Sequence, residues 1–251
     1  MSEARSADVQ MSAGTTVSGT PPRGGVVERG LLIGGSSVPA SSGKLADDVS
    51  PWDGQVYARV AAGTPADITR AADAAQAAFP AWSTMGAFER REIFLRAAEV
   101  MARRGEEAIV ALARETGASR LFAEYNLAYC IQVLREAAAA ITRPAGELLP
   151  TSIPGAYSLA QRVPFGVVGA ISPWNAPLVL GIRSIAIPLA VGNTVVMKPS
   201  EDAPGPRRAG AAVGRLPLPI LLRSLCSTRS LGRVSFGVPL PSKTATTRRW
   251  G

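Results

Sequence analysis

The sequence predicts an α/β chain built on a strand, helix and strand unit, and three observations within residues 164–201 predict it. Residues 165–171 and 194–197 are short runs rich in β-branched residues and glycine, the pattern of parallel strands buried on both faces. Between them Leu178, Ile182, Ile185 and Leu189 recur at helical spacing, which predicts a helix lying over the sheet. A polar motif follows each run, Ser172-Pro173-Trp174-Asn175 after the first and Lys198-Pro199-Ser200-Glu201 after the second. Ligands of open α/β sheets bind outside the carboxyl ends of the strands, so both motifs are expected to face one crevice suited to a nucleotide.

The remaining elements follow in chain order. Residues 1–29, rich in Ser, Gly and Thr, read as a disordered leader, with Met11 as an alternative start. From Leu31, LLIGG and then QVYARVAAG read as short strands, separated by turns at Ser41-Ser42-Gly43 and Asp53-Gly54. Thr64-Pro65-Ala66-Asp67 is a helix start, with Thr64 as N-cap, proline in the first turn and an acid three residues after the cap. Ala71, Ala75, Ala78 and Phe79 carry that helix forward. Further helices are predicted over 88–104, 106–115 and 120–141, each with an apolar stripe that reads as core packing. Residues 148–152 and 156–163 read as two strands around Pro154-Gly155.

Composition narrows the function. The chain has no histidine, which excludes Ser-His-Asp and Cys-His catalysis and removes the commonest zinc ligand, so no metal is expected. Its two cysteines, Cys130 and Cys226, make no disulfide framework and suit a reducing cytoplasm. The longest apolar stretch, 176–197, is broken by Arg183, Pro188 and Asn193, a poor membrane span. No signal peptide is visible, since Glu3 and Asp8 stand where a basic start belongs.

The PWN motif at 173–175, followed 23 residues after Asn175 by KPSE at 198–201, resembles the aldehyde dehydrogenase superfamily of NAD(P)-dependent oxidoreductases. Upstream, LLIGGSSVPASSG, SPWDGQVYARVAAGTPADITRAADAAQAAFPAW, ERREIFLRAAEVMARR and ARETG follow the same family's order. The resemblance covers roughly residues 31–204 and is strongest to members that oxidise vanillin, salicylaldehyde or benzaldehyde. It implies the N-terminal part of the aldehyde dehydrogenase fold: an incomplete Rossmann-like cofactor domain over 30–204, with a β-hairpin oligomerisation arm at about 147–163. The family's partners would be a small aldehyde and further copies of the chain, and no membrane.

By the same resemblance Asn175 is the oxyanion-hole donor to the aldehyde oxygen, a group whose loss costs on the order of a hundred- to a thousandfold in turnover. The residue pattern also allows it as a helix N-cap before Pro177. Lys198 and Glu201 resemble the pair that binds the adenosine ribose hydroxyls, where a surface turn is the plain alternative. A carboxylate there repels a 2′-phosphate, which favours NAD while leaving NADP open. Ser172, Pro173, Trp174 and Ser200 are expected to line the cofactor path, with core packing as the alternative for Trp174. Val179 and Arg183 lie four and eight residues after Asn175, so on one helix they share a face directed at substrate, and Arg183 could pair with a phenolic oxygen or carboxylate. A helix-surface arginine is the plain alternative.

Beyond residue 204 the chain changes character. The segment 203–251 holds nine basic residues and no acidic one, while residues 1–202 hold 18 basic and 19 acidic residues, so the net charge of +8 and the pI near 10.3 come from the tail. Three readings compete: a nucleic-acid arm, a further domain, or translation out of frame. The arginines are scattered, with only Phe236 and Trp250 as aromatics, which weakens the first, and prolines interrupt the apolar runs, which weakens the second. The third is favoured, making 205–251 a basic, disordered, non-homologous tail. In the family the pyrophosphate-binding glycine turn, the water-activating glutamate and the nucleophilic cysteine all follow KPSE, and no counterpart stands here. Cys226, 28 residues after Lys198, lacks the electropositive setting a reactive thiol needs. Aldehyde oxidation is therefore the expected family activity, with this chain inactive alone; the alternative is a non-catalytic protein whose basic tail contacts nucleic acid or anions.

Overall fold

The computed structural model describes residues 26–204 and, by backbone only, residues 220–221. The predicted unit is its centre. Strand β8 (Val167–Ile171), helix α5 (Pro177–Ala190) and strand β9 (Thr194–Lys198) follow one another, and β8 and β9 pair in parallel from Val167 opposite Thr194 to Ile171 opposite Lys198. A short strand β10 (Ile220–Leu221) pairs in parallel with β9, giving the order β10-β9-β8. It falls inside the segment that the sequence pattern marks as an unstructured tail; the rest of that segment lies outside the described residues.

Four helices precede this unit: α1 (Pro65–Thr84), α2 (Ala87–Arg103), α3 (Gly105–Thr116) and α4 (Arg120–Ile141). The start of α1 is the capping box that the sequence predicts. The Thr64 side chain accepts from the Asp67 amide, and Asp67 Oδ2 accepts from the Thr64 amide at 2.9 Å, satisfying two amides that the first turn leaves unpaired. Helix α3 ends on Gly117 in the left-handed conformation, φ 70°, which glycine adopts without a Cβ clash. The main core joins Phe94, Ala97 and Met101 of α2, Cys130 and Leu134 of α4, Leu178, Ile182 and Ile185 of α5, and Val195 and Met197 of β9. Each large side chain buried there contributes about 1.5–3 kcal/mol. Gly181 lets α5 come down on β9, for a Cβ there would stand 2.8 Å from Met197 Cε.

Two arginines tie the layers. Buried Arg90 donates to the carbonyls of Trp82 (2.9 Å), Met85 (2.9 Å), Ser83 (3.2 Å) and Ala190 (3.2 Å), so one guanidinium closes the carboxyl ends of α1 and α5. Arg29 pairs with buried Glu115 at 2.8 Å and donates to Tyr57 Oη at 3.0 Å. Arg29 belongs to β1 (Val27–Arg29), which pairs in parallel with β5 (Val56–Ala61). Strand β1 thus lies inside the segment expected to be a leader; residues 1–25 lie outside the described residues. Strand β5 also pairs antiparallel with β4 (Leu45–Val49), which the sequence pattern does not reveal, and β2 (Leu31–Ile33) pairs with β3 (Ser36–Val38).

The predicted hairpin is present but shifted. Its strands are β6 (Gly146–Leu149) and β7 (Ser158–Gln161), paired from Gly146 opposite Gln161 to Leu149 opposite Ser158. A long connection over 150–157 replaces the tight turn expected at Pro154-Gly155, because pairing ends at Leu149 and Ser158 rather than continuing to the proline. Among the described residues no helix is long and apolar enough to cross a membrane.

Candidate functional site

The two motifs meet at the carboxyl ends of β8 and β9. The Ser172 amide donates to the Lys198 carbonyl at 2.9 Å, one rung past the strand pairing, so the first residue of one motif is bonded to the first of the other. Ser172 is buried, and its hydroxyl donates to the Pro173 and Pro177 carbonyls at 3.4 Å. It shapes the turn from strand into helix rather than presenting its hydroxyl outward. Pro173 and Asn175 are exposed, and Trp174 is 59% exposed, so core packing does not account for Trp174.

The N-cap alternative for Asn175 does not hold. Ala176 occupies that position, no side chain caps the helix, and Pro177 takes the first turn. Asn175 therefore stands free of a capping duty just outside an uncapped helix N-terminus, where unpaired amides and the helix dipole favour negative charge. An amide donor there, beside a positive dipole end, can stabilise an oxygen that becomes anionic.

In the second motif, Lys198 Nζ donates to Glu201 Oε1 at 2.5 Å and to the Pro199 carbonyl at 3.1 Å. Burial works against ionisation of Glu201, but the hydrogen bond and charge of Lys198, with a backbone bond, outweigh it and hold the carboxyl below its ordinary value. Glu201 is thus an anionic acceptor beside a cationic donor, and both remain partly accessible, at 23% for Lys198 and 42% for Glu201. Such a pair fits two vicinal hydroxyls, which can donate to the carboxylate and accept from the ammonium. Ser200 is buried, its hydroxyl accepting the Asp202 amide at 3.2 Å; it fixes the turn that carries Glu201.

Helix α5 separates the other two predicted residues. Val179 is buried in the core shared with α4, whereas Arg183 is exposed. The shared face is not formed: Asn175 precedes the helix, and Val179 lies at the margin of the buried stripe of α5 while Arg183, about 40° further round, falls outside it.

A cleft of about 360 Å³ adjoins the second motif, lined by Trp174, Glu201 and Asp202 together with Asp47 and Asp48 of β4 and Glu115 of α3. Sequence reasoning misses Asp47, Asp48 and Glu115. They reach the cleft from elements far upstream, and the only sequence signal is the ARETG segment around Glu115. Asp48 is 4% exposed and, among the described residues, its Oδ2 has no hydrogen-bond partner. Burial pushes its carboxyl up to about 6, against the opposing charge of Arg29. Cys130 is also buried, which pushes its thiol up to about 12, so it is no nucleophile at neutral pH. Cys226 lies outside the described residues. Among the described residues no cluster of His, Cys, Asp and Glu is arranged to hold a metal.

Residues 38–211 match the aldehyde dehydrogenase family. The vanillin dehydrogenase of Pseudomonas fluorescens is 47% identical over 178 residues, 71% of this chain and 37% of that protein. The salicylaldehyde dehydrogenase of Pseudomonas putida G7, solved with salicylaldehyde, superposes with a TM-score of 0.77 at 35% identity over 81% of this chain and 42% of its own. PnpE in complex with nicotinamide adenine dinucleotide superposes with a TM-score of 0.76 at 32% identity over 80% of this chain and 42% of its own. The chain thus spans little more than a third of the length of the relatives it matches by sequence, and with its strand-end motifs, its helix arrangement and this match it belongs to the aldehyde dehydrogenase family.

Proposed function

We propose that this chain supplies the adenosine-ribose half-site and the oxyanion donor for NAD-dependent oxidation of an aromatic aldehyde to its carboxylic acid. The observation that carries the reading is the bond from the Ser172 amide to the Lys198 carbonyl at 2.9 Å. It joins the first residues of the two motifs at the carboxyl ends of β8 and β9, which supports reading Asn175 and the Lys198–Glu201 pair as parts of one site. NAD, when bound, would accept the hydride. Binding and charge stabilisation fall to the chain's own residues. Glu201, held anionic, accepts from the ribose hydroxyls, Lys198 donates to them, and the Asn175 amide donates to the aldehyde oxygen as it gains negative charge. Arg183, exposed on α5, is the residue we assign to a phenolic or carboxylate substituent of the substrate. The vanillin and salicylaldehyde activities of the relatives named above support an aromatic substrate.

Alone, the chain is proposed to be inactive: cysteine chemistry requires an ionisable thiol, and among the described residues Cys130 is not one. The exposed Leu148, Tyr157 and Leu159 of the hairpin support its reading as an arm that joins copies of the chain. The free Cys130 thiol accords with a reducing compartment such as the cytoplasm.

Calorimetric titration of the chain with adenosine 5′-monophosphate tests the half-site without requiring turnover. Loss of one charged hydrogen bond, about 1.5 kcal/mol, predicts about tenfold weaker binding to Glu201→Gln. A 2′-phosphorylated analogue should bind the unaltered chain more weakly still. Equal affinity in the two proteins, or tighter binding of the 2′-phosphate, would overturn the assignment.

A further inference from the structure

Two acids of the cleft stand near one arginine. In the sheet of order β1-β5-β4, Arg29 lies opposite Val60 and Asp48 lies opposite Ala58. Opposed residues share a face, and so do residues two apart on one strand, so Arg29 and Asp48 project from the same side of the sheet. The register then jumps to Val49 opposite Val56, which makes Tyr57 the extra residue of a bulge. The Arg29 and Arg114 guanidinium groups stand 5.1 and 5.2 Å from the centre of the Tyr57 ring, and its hydroxyl accepts from Arg29 at 3.0 Å. From α3, Glu115 Oε1 accepts from Arg29 Nη1 at 2.8 Å.

This cluster holds an unmet donor and an unmet acceptor. Among the described residues, the buried atoms Arg29 Nε and Asp48 Oδ2 have no hydrogen-bond partner. The guanidinium thus uses its two Nη groups, on Glu115 and Tyr57, and leaves its Nε–H idle. A buried carboxyl without a partner costs far more as an anion than as a neutral acid, so the arrangement suits an Asp48 that carries a proton. Burial favours that proton and the Arg29 charge opposes it. The other charged groups around Asp48 have partners of their own. Asp47 pairs with Arg59 at 3.2 Å, Glu201 is bonded to Lys198, and Arg114 lies over Tyr57, while Asp202 lines the cleft beside Glu201.

We propose that Asp48 and Glu115 compete for Arg29, so that a proton on Asp48 decides which wall of the cleft, β4 or α3, holds the guanidinium. With the proton in place Asp48 is neutral, and Arg29 stays on Glu115 and Tyr57. When the proton leaves to solvent, Asp48 Oδ2 becomes an anionic acceptor near the idle Nε–H. A charge-assisted bond between them draws Arg29 toward β4 and loosens its hold on Glu115. Asp48 and Glu115 line the same cleft as Trp174 and Glu201, so that cleft gains one negative charge as pH rises through about 6. Resting on the half-site proposed above, the consequence is weaker binding of a nucleotide phosphate on the alkaline side of that transition.

The test follows the Nε–H of Arg29 by nuclear magnetic resonance in the full chain with isotopically labelled arginine, its signal assigned by its disappearance in Arg29→Lys. After correction for the intrinsic rise of exchange with pH, protection of this proton should increase about tenfold from pH 5 to 7.5. In Asp48→Asn, which has no proton to lose, protection should be the same at both pH values. A calorimetric arm uses adenosine 5′-monophosphate as probe. The two proteins should bind it equally at pH 5, and Asp48→Asn should bind it about fivefold more tightly at pH 7.5. Comparing the proteins at each pH removes the nucleotide's own titration. Constant protection of the Arg29 proton in the unaltered chain, or the same rise in Asp48→Asn, would overturn the competition. Equal nucleotide affinity of the two proteins at pH 7.5 would overturn its link to the half-site. The exchange measurement involves no nucleotide, so its failure is separate from failure of the proposed function.

Discussion

Replacing Asp48 by asparagine should stabilise this protein at neutral pH, and the gain should vanish in acid. Asp48 is 4% exposed and, among the described residues, its Oδ2 accepts no hydrogen bond. Burial raises its carboxyl from 3.8 to about 6, with the Arg29 charge offsetting only part of the effect. The raised value means that the folded state holds the proton more tightly than the unfolded chain. Below about pH 4 the group is neutral in both states and costs nothing. Between about pH 4 and 6 the unfolded chain ionises first, so stability falls as pH rises, and above pH 6 the whole cost is present. A shift of about two units at about 1.4 kcal/mol each is about 3 kcal/mol. Solvent screening in the open cleft and the unsatisfied amide of asparagine reduce the expected net gain to about 1–2 kcal/mol. Urea unfolding followed by tryptophan fluorescence, repeated from pH 4 to 7.5, measures it. Asp48→Asn should match the unaltered protein near pH 4 and exceed it at pH 7.5. A stability difference that stays constant across this range, or a variant less stable at pH 7.5, would refute the reasoning.

Arg90→Lys keeps the charge but cannot bond four carbonyls at once; losing at least two charged hydrogen bonds should cost about 3–5 kcal/mol in a urea titration, and a loss below about 1 kcal/mol would contradict the role given to Arg90. Purified chain should produce no NADH from vanillin or benzaldehyde above a protein-free blank in absorbance at 340 nm, and turnover abolished by Cys226→Ala would reverse that view. Thiol reagents at pH 7.5 should leave Cys130 unmodified until the protein is unfolded; rapid labelling of the native protein would show that the α2–α4–α5 core is open. In an enzyme completed by its C-terminal part, Arg183→Leu should lower kcat/KM about tenfold for hydroxylated or carboxylated aromatic aldehydes while sparing benzaldehyde; an equal loss for every aldehyde would make Arg183 structural.

The helices and the β8–α5–β9 unit are legible in the sequence because their information is local. The Thr64–Asp67 capping box, the spacing of Leu178, Ile182, Ile185 and Leu189, and the two strand-end motifs each depend on residues a few positions apart, and each stands where the pattern puts it. Strand β4 is hidden because its Leu-Ala-Asp-Asp-Val sequence places a buried carboxylate where alternation calls for an apolar residue. Only packing against Arg29 and α3 makes that position interior. The hairpin register and the inward turn of Val179 are equally out of reach, since one is decided by pairing across the connection and the other by how α5 lies on α4. The acidic cleft is a tertiary product throughout. Asp48, Glu115 and Glu201 are widely separated along the chain and come together only when β4, α3 and the end of β9 are packed. Local periodicity specifies which segments are helix or strand, whereas charge burial depends on which neighbours the fold supplies.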